Sequence, residues 1–151
     1  MTNIGARRAR ISESYIKAFG SIAKLREPLA MKPERKLYHD LKKNTQGFIW
    51  NRIENLVGVG IPDLLGYNDS KKFFTVELKI ATGNKVRLSP HQIAFHVLHP
   101  NNSFILIRKN KRLLLVAGSE IRKLAANGFD SCAIVADSWS SVQVAFVSSV
   151  T

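Results

Sequence analysis

Apolar and polar positions along this chain alternate between two periods. In residues 12–25, SESYIKAFGSIAKL, the residues Tyr15, Phe19 and Ile22 recur at helical spacing behind Ser12 or Ser14 as cap, which predicts a helix. A Pro-punctuated connection, REPLAMKP, leads to a second predicted helix over 33–43, PERKLYHDLKK, with Pro33 suited to its first turn. Period two then takes over. GFIWNRIE at 47–54 reads as a strand, Gly58 and Gly60 mark a bend before IPDLLGY, NDSKK is a turn, and FFTVELKI is the clearest strand in the chain. After the basic loop GNKVRLSP, Ser89 is placed to cap a helix that opens at Pro90 and runs through HQIAFHVLH. SFILIRK and RLLLVAG predict two strands around a KNK turn, and SEIRKLAANG predicts a short helix ended at Gly128. AIVADSW and VQVAFVSS predict a final pair of strands. Strands interleaved with helices predict an α/β fold with one central mixed β-sheet flanked by helices. The expectation is a single domain over 1–151, with its core at about 33–117 and the N-terminal helix and C-terminal strands as additions.

Composition narrows the classes. With 151 residues, 45% hydrophobic and 23% charged, the chain has ordinary globular composition, which excludes a disordered one. No apolar run approaches the roughly 20 residues of a membrane span. The basic start, MTNIGARRARISESYIKAFG, lacks the apolar stretch of a secretory signal. One cysteine, Cys132, excludes an intrachain disulfide framework and a Cys-rich zinc site, so a reducing cytoplasm is the expected setting. The formal net charge is +12 and uneven, because residues 113–151 hold only two basic against three acidic side chains. A basic footprint over the first three quarters points to a polyanion, with nucleic acid first. No basic amphipathic helix with a Trp/Phe/Leu face stands out, so a membrane partner is not expected.

Chemistry concentrates on three residues. Alternation in FFTVELK puts Phe74, Val76 and Leu78 on one face and Thr75, Glu77 and Lys79 on the other. A carboxylate and an ammonium thus stand side by side on a strand anchored by its apolar face. Asp63, after Pro62, opens the preceding strand, and the NDSKK turn makes the two strands antiparallel neighbours. Both carboxylates can then converge on one hard cation, which takes oxygen ligands. Lys79 beside them is placed to hold a phosphate or orient a water. The plain alternative is a surface ion pair between Glu77 and Lys79 and a Pro-Asp turn starter. Glu34 projects from the stripe of Leu37, Tyr38 and Leu41; it is either a fourth element of this site or a first-turn acid favoured by the helix dipole. Glu54 competes for that position, unless it pairs with Arg52 on its own strand. His91, His96 and His99 share one predicted helix without an H-E-x-x-H pattern, so zinc ligation is not expected from them.

RIENLVGVGIPDLLGY, FFTVELK and VRLSPHQ, in that order, resemble the PD-(D/E)XK nuclease superfamily, with a restriction-endonuclease-like core. The similarity is greatest to small phage-type VRR-NUC proteins and their Holliday-junction-resolvase relatives, and it covers about residues 33–108. The resemblance implies a metal-dependent endodeoxyribonuclease acting on branched or structured DNA, in phage recombination or replication. It implies Mg²⁺, with Mn²⁺ as a substitute, one or two ions per site, held by Asp63, Glu77, the Leu78 backbone carbonyl and Glu34. Lys79 would orient the attacking water, and Gln92 matches a glutamine that related nucleases place beside the lysine. It also implies a homodimer and no organic cofactor. The chemistry stands beside the resemblance: phosphodiester cleavage needs a cation against the charge that develops on phosphorus, and a positive group near the nucleophile.

The basic turns supply candidate DNA contacts: Lys71 and Lys72 in one, Lys85 and Arg87 in another, both expected to flank the site, together with Arg52. Arg108, Lys109, Lys111 and Arg112 form a third cluster. Such contacts grip backbone phosphates and read no sequence. Trp50 and Trp139 are expected in the core or an interface rather than stacked on bases. Two other readings stay open at this point: a less structure-selective nuclease for DNA degradation or packaging, and a non-catalytic nucleic-acid-binding module.

Overall fold

The structure is a computed structural model, and it describes residues 30–53 and 58–148. The helix predicted over 12–25 and the side chain of Glu54 lie outside the described residues. The chain divides into two compact units, residues 1–31 and 32–151, and the architecture below is that of the second. Its elements run α1 (Pro33–Asn44), β1 (Ile49–Arg52), β2 (Leu64–Tyr67), β3 (Phe73–Ile80), α2 (Pro90–Leu98), β4 (Ser103–Lys109), β5 (Arg112–Ala117), α3 (Ile121–Asn127), β6 (Ile134–Ala136) and α4 (Trp139–Ser148). Single 3₁₀ turns precede and follow α3. None of the described helices is long and apolar enough to cross a membrane.

The six strands form one mixed sheet in chain order, β1-β2-β3-β4-β5-β6. Every neighbouring pair is antiparallel except β3 and β4. That exception follows from α2: a parallel pair needs a crossover, and the only long connection between successive strands β2 to β5 is the one carrying this helix. Helices cover both faces. Leu37 and Leu41 of α1 and Val142, Ala145 and Phe146 of α4 pack on Leu64, Phe74, Val76, Leu78, Leu106 and Leu115. On the opposite face, Ile93 and Val97 of α2 and Ile121 and Leu124 of α3 cover Ile105, Ile107, Leu114 and Val116. β4 and β5 are buried on both sides, which is why SFILI and LLLV read as unbroken apolar runs rather than alternations.

Helix ends explain two sequence signals. Ser89 and Gln92 form a reciprocal capping box, the Ser89 side chain accepting from the Gln92 N–H and the Gln92 side chain accepting from the Ser89 N–H. Gly60, with φ +90°, lies so close to α2 that a Cβ there would come 2.6 Å from the His91 backbone, so only glycine lets this bend dock on the helix.

The last segment corrects the sequence reading. AIVADSW contributes strand β6 over three residues, but VQVAFVSS is helix α4 and not a strand. Val142, Val144 and Phe146 fit period two, yet the buried set is Val142, Ala145 and Phe146, with Val144 and Val147 exposed. Ser138 caps the helix, its hydroxyl accepting from the Ser141 N–H. Packing decides the outcome: Phe146 stacks on Phe74 at 4.6 Å between ring centres and meets Trp50 and Phe104 edge-on. β-Branched residues have little intrinsic preference that such a cluster cannot override. Phe146→Ala is therefore expected to cost about 3–5 kcal/mol in chemical denaturation at high dilution, where the chain is monomeric, whereas Val144→Glu on the exposed face should stay within about 0.5 kcal/mol there. A strand would place both side chains on one face and penalise both changes.

Candidate active site

The site begins where β2 stops. Its last ladder pair with β3 is Leu64 with Val76, and continuing that register would set Asp63 opposite Glu77. Two carboxylates directly opposite each other disfavour further pairing. β2 ends there instead, and the Asp63 side chain takes over: its Oδ2 accepts the Leu78 N–H at 2.8 Å. The Asp63 carbonyl stays in the other ladder, accepting from the Ile53 N–H at 2.8 Å. Hydrogen bonding along β3 alternates in direction, and Thr75 and Ala81 donate toward the β4 side. Leu78, out of phase with them, turns both its N–H and its carbonyl toward the gap beside Asp63.

Glu77 lies in the middle of β3 and is 1% exposed. Its Oε1 receives the Lys79 ammonium at 3.0 Å and a close hydrogen bond from the Gln92 side-chain amide. Lys79 also donates to Gln92 Oε1 at 3.2 Å, and that same oxygen accepts the Ser89 N–H at 3.0 Å. The α2 cap thus holds Gln92 in place, and Gln92 holds the lysine. Glu77 Oε2 is buried and has no hydrogen-bond partner. The Glu77 pKa is raised to about 7: burial raises it most, the Asp63 charge adds to this, Lys79 opposes through charge and hydrogen bond, and Glu34 adds a smaller upward push.

The remaining residues sort by position. Glu34 is exposed on the first turn of α1, and its charge reaches Glu77. Among the described residues no three His, Cys, Asp or Glu side chains come together as a cation cluster, so Asp63 and Glu77 are a pair with Glu34 outside it. Lys85 and Arg87 are exposed in the loop from β3 to α2, because the intervening Val86 and Leu88 turn into the core. Arg52 is exposed at the end of β1 with its guanidinium 5.9 Å from the Tyr38 ring. The expectation that Lys71 and Lys72 flank the carboxylates is corrected. Their turn closes the opposite end of the β2–β3 hairpin, four strand residues or about 13 Å before Glu77. The third basic cluster is split by strand alternation: Arg108 pairs with Asp40 beside α1, while Lys109 lies on the other face, 5.5 Å over Phe129.

The aromatic and histidine residues are structural. Trp50 donates to Thr45 Oγ1 at 2.9 Å and packs on Phe74 and Phe146. His96 is fully buried, its Nδ1 bonded to Ser103 Oγ, and burial lowers its pKa to about 4. His91 and His99 are exposed. The bond from His96 to Ser103 and the groove described below are the features that sequence reasoning missed. The capping box that fixes Gln92 was legible as S-x-x-Q.

Among solved structures, the chain is similar to a Holliday junction resolvase from the archaeal hyperthermophile Archaeoglobus fulgidus. The TM-score is 0.43 at 19% identity, over 57% of this chain and 74% of that one. No protein-family model and no curated protein sequence matches the chain.

The donor set suits a hard divalent cation. It has a buried Glu77 oxygen with no partner, the Asp63 carboxylate with one oxygen already committed, and the Leu78 carbonyl on the strand edge that faces Asp63. Without a cation, Glu77 is a liability. Its folded-state pKa lies above the ordinary carboxylate value of 4.5, so its contribution to stability is present below about pH 4.5 and lost as pH rises through about 7. In metal-free buffer, Glu77→Gln should raise stability by up to ~3 kcal/mol at pH 8 and leave it nearly unchanged at pH 4, as read by thermal denaturation.

Proposed function

We propose that this chain is a divalent-metal-dependent phosphodiesterase that hydrolyses DNA, with branched or structured DNA as its substrate. The observation that carries the reading is the buried, unpartnered oxygen of Glu77, whose other oxygen receives the Lys79 ammonium and whose neighbour Leu78 is bonded to Asp63. The basic balance of +12 supplies the attraction to a polyanion. The restriction of the substrate to branched DNA, and a role in phage recombination or replication, rest on the sequence resemblance.

Each residue has a part in this mechanism. Asp63 and Glu77, with the Leu78 carbonyl, would hold Mg²⁺, for which Mn²⁺ would substitute; Glu34 would serve a second ion or a bound water. The cation supplies neutralisation of the phosphate and a more acidic water. Glu77 would have to give up its proton, held to about pH 7, before it could act as a ligand. Lys79 is pinned between Glu77 and Gln92, so its ammonium is already oriented when substrate arrives and stabilises charge on the attacked phosphate. Gln92 positions it through the Ser89 cap. Arg52, Lys85 and Arg87 contact flanking phosphates.

Asp63→Asn and Glu77→Gln should each lower the Mg²⁺-dependent cleavage rate at least a hundredfold while DNA binding stays equal or tightens, because each removes negative charge facing phosphate. Cleavage of junction, flap, linear and single-stranded substrates, beside a binding assay in calcium, reads both effects. Full activity in either variant removes the mechanism.

A homodimer forms part of the proposal. β6 is the sheet edge, and Ile134, Val135, Val144 and Val147 expose apolar surface on β6 and α4, in the near-neutral quarter of the chain. Two copies meeting there avoid the repulsion that any other basic face would bring. Sedimentation at micromolar concentration should give twice the chain mass, and Val144→Glu should return it to the monomer.

A further inference from the structure

A second concavity begins one residue beyond Lys79. β3 ends at Ile80, and Ile80 with Ala81 and Thr82 beyond it, Pro33 and Lys36 of α1, and the turn between β4 and β5 line a groove of about 510 Å³. Ile80 follows Lys79 on one strand with its side chain on the other, α1 face, and Pro33 precedes Glu34 on one helix, so the groove adjoins the candidate active site along the chain without sharing its residues. Three cations, Lys36, Arg108 and Lys111, line it against a single carboxylate, Asp40.

These charges are not equivalent. Asp40 is committed to Arg108, whose guanidinium is fixed further by lying 5.7 Å over the Trp139 ring. The Arg108–Asp40 pair is therefore a rigid, nearly neutral wall. Lys36 and Lys111 are exposed and have no ion-pair partner among the described residues. Lys111 sits on a tight turn set by Asn110 at φ +54°, which presents it over the groove from the side opposite α1. Two unpaired ammonium groups facing each other across a concave surface are matched to an anion with several acceptor oxygens. Lys79 and Thr82 are three residues apart, about 10 Å of extended chain, which suits a phosphate next to the one under attack on the same nucleic-acid strand.

We propose that this groove is a phosphate-binding subsite, in which Lys36 and Lys111 grip the nucleic-acid backbone on the Thr82 side of the reacting phosphate. The proposal rests on the reading of the chain as a DNA phosphodiesterase and adds to it the path of the bound strand. The grip is electrostatic and sequence-independent, and it belongs to binding rather than to the chemical step.

The test compares the full chain with Lys36→Ala/Lys111→Ala and with a control of equal charge loss, Lys43→Ala/Arg122→Ala, whose side chains are exposed outside the groove. Binding of a labelled DNA duplex is followed by anisotropy in calcium from 50 to 300 mM salt, and cleavage is followed in magnesium. The groove variant should show a log K against log salt slope shallower by roughly 0.9 per phosphate lost. Its low-salt affinity should fall about tenfold, its KM should rise and its kcat should stay within twofold. An unchanged slope and affinity overturns the subsite, and so does an equal change in the control, which would make the effect one of net charge. If the wild-type chain binds DNA but does not cleave it, the nuclease reading falls while the slope comparison still decides the groove. If it binds no DNA, both fall.

Discussion

The arrangement depends on one hydrogen bond, from the Leu78 N–H to the Asp63 carboxylate. A strand cannot simply stop in mid-sheet, because its neighbour's amide is left without a partner, and a buried unpaired amide costs on the order of 1–3 kcal/mol. Asp63 removes that cost by placing a side-chain oxygen where the next backbone carbonyl would have been. β2 is then free to leave β3, and the Asp63 carboxylate and the Leu78 carbonyl lie along the gap that opens between them, with Glu77 next to Leu78 on the strand. Asparagine could supply the same oxygen; only aspartate also brings the charge.

Glu77 shows what such a gap costs. A carboxylate at 1% exposure, with one oxygen unpartnered and Asp63 beside it, holds its proton to about pH 7. Lys79 and Gln92 offset part of the penalty, and both are themselves held by the Ser89 cap of α2. The docking of α2 is in turn secured by Gly60 at its first turn and by the buried His96–Ser103 contact near its end. A destabilised group thus sits inside a frame of stabilised ones.

Charge is distributed by face and by edge. β4 and β5 are apolar on both sides and set the centre of the sheet, so cations collect at its rim: Lys85 and Arg87 beyond β3, Lys36 and Lys111 around the groove, Arg52 at the end of β1. The edge formed by β6 and α4 carries exposed valines instead. One rim of the sheet is therefore basic, and the edge at β6 and α4 is apolar.

Much of this was legible along the chain, because the relevant interactions are local. Alternation in FFTVELKI fixed which face carries Glu77 and Lys79, S-x-x-Q fixed the cap that holds Gln92, and the NDSKK turn made β2 and β3 neighbours. Other features depend on contacts between residues far apart in sequence. VQVAFVSS satisfies period two and a helical stripe equally well, and the aromatic cluster of Phe74, Phe104 and Phe146 chose the helix. Lys71 and Lys72 lie close to Glu77 in sequence but at the wrong end of the hairpin, since an extended strand carries them away by about 3.3 Å per residue. Lys36 and Lys111, 75 positions apart, share a groove only because α1 and the β4–β5 turn reach the same rim of the sheet. The residue types and the periods of burial were set by the sequence, since each follows from side chains a few positions apart. The burial of one Glu77 oxygen without a partner was decided by the tertiary structure, since it needs β2, β3 and α2 to meet in space.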